Sequence, residues 1–344
     1  MQKIIRYFLI VLIFFNFIYV LSGVLNYQVQ SIDVFGIWLL KAKLFFYNNG
    51  FNFDLLKIYK YSHPHYPILL PLLFFNIFNI VGEFKELWVL LIYPFLYLLI
   101  LFFAYKVFIK VGIGKNLSIF LVYVYSMLSP LLSQAGRMHA GEADIFITFL
   151  SWIIIILILK MKDEKNISYH FILITLIVIC SQIKQEGVFL SYLFLFLPIE
   201  KKKRYLLILI SVIPSFIWHI LRINAGVYSD FGYFIPSIYE LFLRFINIVY
   251  LVTFEMLNFR NWYLFWVIFW ILQFLIKTES KIISNIIIPY LLICSASIFI
   301  FYLFSTLDPG NYVVSSIDRI MLQMSPFILL IFSEKTKLLL DKIK

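Results

Sequence analysis

Residues 179–196 read ICSQIKQEGVFLSYLFLF, two apolar runs that meet at the four-residue turn Lys184-Gln185-Glu186-Gly187. A charge at the centre of a bilayer costs about 2.5–3.5 kcal/mol even on the lenient insertion scales. The turn therefore lies at a membrane surface or lines a wet cavity. The flanking runs decide between these, since 167–183 and 187–199 give only about 25 and 20 Å of helix, against a hydrocarbon core of roughly 30 Å. Lys184 and Glu186 are thus expected below the outer surface, where backbone and charge survive only inside protein or against water. The run 145–159 is equally short and starts at Gly141-Glu142-Ala143-Asp144, which puts Glu142 and Asp144 in the same outer depression.

The chain around this turn has the composition of an integral membrane protein. Of its 344 residues 63% are hydrophobic and 14% charged, and its mean hydropathy is +0.95; no soluble core needs that much apolar surface. The formal net charge of +11 has a topological explanation and gives no ground for nucleic-acid binding. Cys180 and Cys294 both lie in apolar runs, which leaves neither a disulfide framework nor a metal knuckle. Lys3 and Arg6 precede the first apolar run without a convincing cleavage site, as in an uncleaved first span with its N-terminus inside.

The positive-inside rule orders the remaining runs, 87–105, 117–135, 145–159, 167–183, 187–199, 205–221, 262–276, 282–304 and 320–333. The lysine-rich connectors at Lys106–Lys115, Lys160–Lys165, Lys201–Arg204 and Lys277–Lys281 share the inner side only if 67–82, which carries Pro67 and Pro71, does not cross. The expectation is one all-α polytopic helix bundle over 1–344 with about ten spans. Residues 1–221 then hold seven spans with a first outer loop at 22–86. Residues 222–344 add a second outer loop and three spans. Helices at 67–82 and 239–257 are expected to lie in the interface, the latter because Glu240, Arg244 and Glu255 suit an amphipathic surface helix.

Nearly every unusual polar residue then falls on the outer side. Asp33 opens the long, aromatic-rich first outer loop within QSIDVFGIWLLKAKLFF, a position that sets it apart from an ordinary solvated cap; Lys41 and Lys43 are expected to snorkel. His63 and His65, before Tyr66 and Pro67, either set a turn or offer metal ligands. Glu142 and Asp144 suit the positive end of a helix. Lys184 and Glu186 either neutralise each other or serve a substrate. Arg222 and Arg319 sit at span ends, where a guanidinium fork contacts lipid phosphate or holds the phosphate of a specific lipid-linked substrate. P-loop, dinucleotide, zincin and hydrolase-elbow motifs are absent.

Five motifs in order, DVFGIWLLKAK, HPHYP, GEAD, KQEG and SIDRIMLQMSP, resemble a bacterial membrane glycosyltransferase of the C-type (GT-C) superfamily, related to the protein O-mannosyltransferases and aminoarabinose transferases. The resemblance spans about residues 1–335. It implies a catalytic acid in the first outer loop, here Asp33, and a donor made of a sugar on polyprenyl phosphate or diphosphate. The chain departs from many members in having one acid there instead of a pair.

The expected function is transfer of a sugar from that donor to a hydroxyl of a glycan, lipid or protein, at the outer face of the inner (plasma) membrane. Such chemistry needs a base for the acceptor proton and cations for the departing phosphate. Asp33, Asp144 and Glu186 are the candidate acids and bases. Lys184, Arg222, Arg319, His63, His65 and Tyr66 are the candidates for binding substrate, with a divalent metal ion as a further possibility. Two other classes fit the same layout, an O-antigen-type polymerase or ligase, and a flippase or transporter of lipid-linked saccharide.

Overall fold

A computed structural model describes residues 2–26, 31–58, 62–163, 168–229 and 232–343. Lys165 of the second basic connector lies outside them, as do the side chains of 162 and 163. The described chain is all helical, with one isolated bridge between Tyr233 and Ser305. The first helix, α1 (Gln2–Asn26), is followed by a π-helical turn at Val34–Leu39 that runs into α2 (Leu40–Tyr47). Short helices α3 (Phe53–Ile58), α4 (Leu69–Val81) and α5 (Glu86–Leu90) lead into α6 (Ile92–Lys110). With 13 residues, α4 reaches about 20 Å, short of the hydrocarbon core.

Next come α7 (Lys115–Ser126) and α8 (Ser129–Gly136), bent by 66° at their junction. Leu128 is extended there and α8 begins at Ser129, with Pro130 in its first turn, where the missing N–H leaves no intrahelical bond unmade. Helices α9 (Asp144–Asp163) and α10 (Ser168–Ile183) follow, then a 3₁₀ segment at Gln185–Tyr192 that ends in α11 (Leu193–Phe196). The chain continues through α12 (Lys201–Asn224), α13 (Ile238–Met256), α14 (Phe259–Trp262) and α15 (Phe265–Leu275). A second π turn, Ile283–Ile287, opens α16 (Ile288–Phe304), and α17 (Pro309–Ile343) closes the described chain.

Six of these helical stretches are long and apolar enough to cross a membrane, or seven if α7 and α8 form one bent span. The chain is a multi-pass helical membrane protein. At the centre stands α9, packed between α6 and α17 with 72% of its apolar stretch buried, whereas only 11% of α12 is buried. The exposed Leu206, Leu209, Ile213, Phe216, Ile217 and Ile220 of α12 would be a liability in water; in lipid they face their own kind of solvent. Hydrogen bonds tie the apolar helices together. Asn16 of α1 donates to the Ser126 hydroxyl (2.9 Å), and the Tyr97 hydroxyl of α6 donates to the Ser126 carbonyl (2.9 Å), the kind of polar contact that holds helices where no hydrophobic drive remains.

Helix α13 fits its amphipathic sequence, but its charges are spent within the protein. Ser237 and Glu240 form a capping box. The guanidinium of Arg244 donates to the Ser305 carbonyl (2.8 Å) past the end of α16, and Glu255 accepts from Asn258, Asn261 and Trp262. The expected freedom of Lys41 is also corrected. It is 1% exposed, donates to the His63 carbonyl (2.7 Å), and lies under Trp38 and Tyr66. Burial among aromatic faces compensates the lost hydration.

The segment 187–199, expected as a regular helix, is 3₁₀ as far as Tyr192 and α-helical only over Leu193–Phe196, because the chain folds back at once on α10. A Cβ on Gly187 would sit 2.2 Å from the Cys180 carbonyl oxygen, inside the backbone of α10. Gly187→Ala is therefore expected to destabilise the protein by about 1–3 kcal/mol, the usual penalty of overpacking. A thermal unfolding midpoint equal to wild type would refute this.

Candidate functional site

The turn at 184–187 is where four separated parts of the chain meet. Helix α17 enters with Arg319 and Gln323, four residues apart and so on one face. The π turn brings Asp33, the start of α9 brings Glu142 and Asp144, and the end of α10 brings Lys184 and Glu186. Together with Tyr66, Trp38, Tyr233 and Tyr312, most of these groups line a cavity of about 590 Å³.

Two ion-pair systems support its polar wall. In the first, Nη1 of Arg319 bonds Asp33 and lies 3.2 Å from Glu142, while Nη2 donates to the Ser315 carbonyl (2.8 Å). Glu142, 1% exposed, also receives the Ser31 hydroxyl (2.6 Å), the Gln134 amide (2.7 Å) and Nδ1 of His139 (2.7 Å), and the Tyr93 hydroxyl donates to its carbonyl (3.0 Å). Such a saturated carboxylate anchors Arg319 and has no lone pair to spare for a substrate. In the second system Asp144, also 1% exposed, accepts from Lys184 (2.9 Å) and from the Gln323 amide, and Lys184 lies 3.3 Å from Glu186.

Lys184 is shared between two acids: Glu186, its neighbour in the turn, lies at 3.3 Å, and Asp144 is nearer at 2.9 Å. Burial alone would push the Lys184 ammonium down, but Asp144 and Glu186 outweigh it and raise its pKa. Burial likewise works to raise Glu142, yet the His139 bond and the Arg319 charge win and hold it down at about 2. For His139 burial depresses the charged form, and the bond to Glu142 more than reverses this.

The sign of the pH dependence follows by linkage. Glu142, ordinarily at 4.5, contributes stability that is present above that pH and lost as pH falls toward 2. His139, ordinarily at 6.5, contributes stability that is present below that pH and lost as pH rises through its raised value. The advantage of wild type over His139→Gln in unfolding midpoint should thus be largest between pH 4.5 and 6.5 and shrink on either side. A difference that stays constant from pH 4 to 8 would count against the pair.

The remaining expected residues divide. Asp33 and Glu186 are the accessible acids, with side chains 34% and 27% exposed, and Tyr66 joins them on the wall. His63, at φ 47°, makes the turn before Tyr66 and stacks on it. His65 is 2% exposed, and its carbonyl accepts from Gln185 (3.3 Å) and Trp218 (3.1 Å). Both histidines therefore shape the wall from behind.

Arg222 does not line the cavity. At the end of α12 it donates to the Val227 carbonyl (3.0 Å) and meets His219 (2.8 Å), closing its own helix. No group of three His, Cys, Asp or Glu side chains among the described residues could hold a metal ion. The donors present do not fit a divalent cation, since each carboxylate is already committed to Arg319 or Lys184 except where Glu186 opens to the cavity.

Glu142 as anchor, Gln323 and Tyr312 were missed as site residues by reading the sequence. The spacing of Arg319 and Gln323 in an otherwise apolar helix was the available signal for Gln323. Two buried atoms on the cavity-lining residues, Nε of Arg319 and Oε2 of Glu186, have no hydrogen-bond partner among the described residues. Buried polar atoms are rarely left so, and here one is a donor and the other an acceptor.

No protein-family model, no curated protein and no solved structure matches this chain.

Proposed function

We propose that the protein is a membrane glycosyltransferase of GT-C type that transfers a sugar from a polyprenyl-phosphate carrier to an acceptor hydroxyl. The observation that carries this reading is the pairing of the accessible Asp33 with Arg319 in the wall of the 590 Å³ cavity. A base and a phosphate-binding fork stand together there, as displacement of a lipid phosphate from a sugar requires. A second, almost wholly apolar cavity of about 330 Å³ between α13, α15, α16 and α17 shares Ile298, Tyr302 and Ile320 with the first. It suits an isoprenoid chain whose phosphate reaches Arg319.

In this mechanism the acceptor oxygen attacks the anomeric carbon as its proton passes to Asp33. The bond from that carbon to the phosphate oxygen breaks, and the polyprenyl phosphate leaves with the electron pair and the added negative charge. Arg319, released from Asp33 as the phosphate arrives, meets that charge, with its unbonded Nε as a further donor. Glu186 accepts a hydroxyl of the sugar or the acceptor. A single displacement inverts the anomeric centre. The active face is the periplasmic or outer side of the plasma membrane, and on the positive-inside reading α10, the segment Gln185–Phe196 and α15 bring the crossings to about ten.

Purified protein in sealed proteoliposomes, incubated with radiolabelled polyprenyl-phosphate hexoses and pentoses and a crude envelope acceptor fraction, should move label from the lipid to the acceptor. Intact transbilayer movement of the labelled lipid without loss of its sugar would favour the transporter reading instead.

A further inference from the structure

At the other end of the bundle α1, the turn between α6 and α7, and the last turns of α17 surround a separate cavity of about 390 Å³. Its wall carries Arg6, Lys115, Asn116, Lys337 and Asp341. Lys337 follows Arg319 by 18 positions on one helix, about 27 Å at the rise of an α-helix. This cavity is therefore roughly one hydrocarbon thickness from the first.

The three cations come from three different elements, so the concavity and not one helix face gathers them. Nε and Nη2 of Arg6 are both spent on Oδ1 of Asn116, at 3.0 and 2.8 Å, which fixes the guanidinium. Lys115 and Lys337 make no hydrogen bond or ion pair among the described residues. Against them stands one carboxylate, Asp341 at the rim.

The turn is built to leave this space open. Gly112, at φ +82°, ends α6 with paired bonds from Gly112 N to the Ile109 carbonyl and from Ile113 N to the Phe108 carbonyl (3.0 Å each). A Cβ there would come to 3.2 Å from Nζ of Lys337. Gly114 then starts the 12-residue α7 without any side-chain cap, so the first amides of that helix face the same region with their partial positive charge.

We propose that this cavity binds a phosphate ester, a site separate from sugar transfer and independent of it. The shared chemistry is a phosphate group held by Lys115, Lys337 and the outer nitrogen of Arg6 at the positive end of α7. Basic pockets between membrane helices hold anionic lipid headgroups in this way, and helix N-termini hold phosphate. The two sources are an anionic phospholipid of the surrounding leaflet and a soluble phosphate.

The test uses the full-length protein in nanodiscs of phosphatidylcholine, with either phosphatidylglycerol added to the bilayer or inorganic phosphate added to the buffer. Bound phosphatidylglycerol is read by native mass spectrometry, and phosphate binding by a saturable rise in unfolding midpoint. The Lys115→Gln/Lys337→Gln variant is compared with Lys201→Gln/Lys202→Gln, an equal loss of charge at exposed positions of α12. Affinity should fall roughly 30-fold in the first variant, as two lysine contacts imply, and by less than threefold in the second.

Loss confined to phosphatidylglycerol assigns the site to a lipid headgroup. Saturation by inorganic phosphate that competes with the lipid assigns it to a soluble ligand. Equal losses in both variants, or neither bound lipid nor a phosphate-dependent shift in wild type, would overturn the proposal.

Discussion

Asp33→Asn is expected to lower sugar transfer by about 10²–10⁴-fold, the contribution of one positioned base, with no loss of folded protein. The substitution keeps the shape of the side chain and removes its capacity to take a proton. It should be tolerated by the fold because Arg319, its partner, remains held by Glu142 at 3.2 Å and by the Ser315 carbonyl at 2.8 Å. With a third of its side chain exposed, Asp33 contributes as a screened pair, for which about 0–1 kcal/mol is usual. Glu142→Gln makes the contrast. It strips charge from a buried carboxylate that holds Ser31, Gln134, His139 and Arg319 together, so it should reduce the yield of folded protein before any rate is measured. Initial rates at equal amounts of monodisperse protein separate the two variants. Near-normal turnover in Asp33→Asn would return Asp33 to the role of a helix cap and shift the search for the base to Glu186.

The class of the molecule, a helical membrane protein, was legible in the sequence because it rests on long-range averages. Apolar runs cannot be mistaken over 344 residues, and runs too short for the bilayer put Lys184, Glu186 and Asp144 at one depth. Pairing was not legible. Asp33 and Arg319 are 286 positions apart, and nothing local says that a cation on α17 faces the π turn and not a lipid. The same ignorance made Arg222 look equivalent to Arg319, although one closes its own helix and the other bridges two carboxylates. Lys41 was misread for a related reason: snorkelling is the default of a lysine beside an apolar run, and only the arrival of His63 and Tyr66 from the far end of the loop gives it a reason to stay inside.

The second large effect is expected at Lys184, and it is first an effect on stability. Lys184→Gln leaves Asp144 buried with the Gln323 amide as its remaining side-chain partner, and uncovering one half of a buried ion pair costs about 3–5 kcal/mol. Set against a total stability of about 5–15 kcal/mol, that is enough to deplete folded protein. Glu186→Gln should be mild by comparison, because Lys184 keeps Asp144 at 2.9 Å. The combination Asp144→Asn/Lys184→Gln removes both buried charges and should restore most of the lost stability, the non-additivity expected of residues in direct contact. Transfer should not return with it. The double variant holds one cation, Arg319, where the cavity had two, and Glu186 loses the ammonium that orients it 3.3 Å away; a rate at least tenfold below wild type is expected, the equivalent of about 1.4 kcal/mol in the barrier. Unfolding midpoints and transfer rates of the four proteins read the two effects separately. Full recovery of transfer in the double variant would make Asp144 and Lys184 a structural pair alone, and an unchanged midpoint in Lys184→Gln would remove the argument from burial at its root.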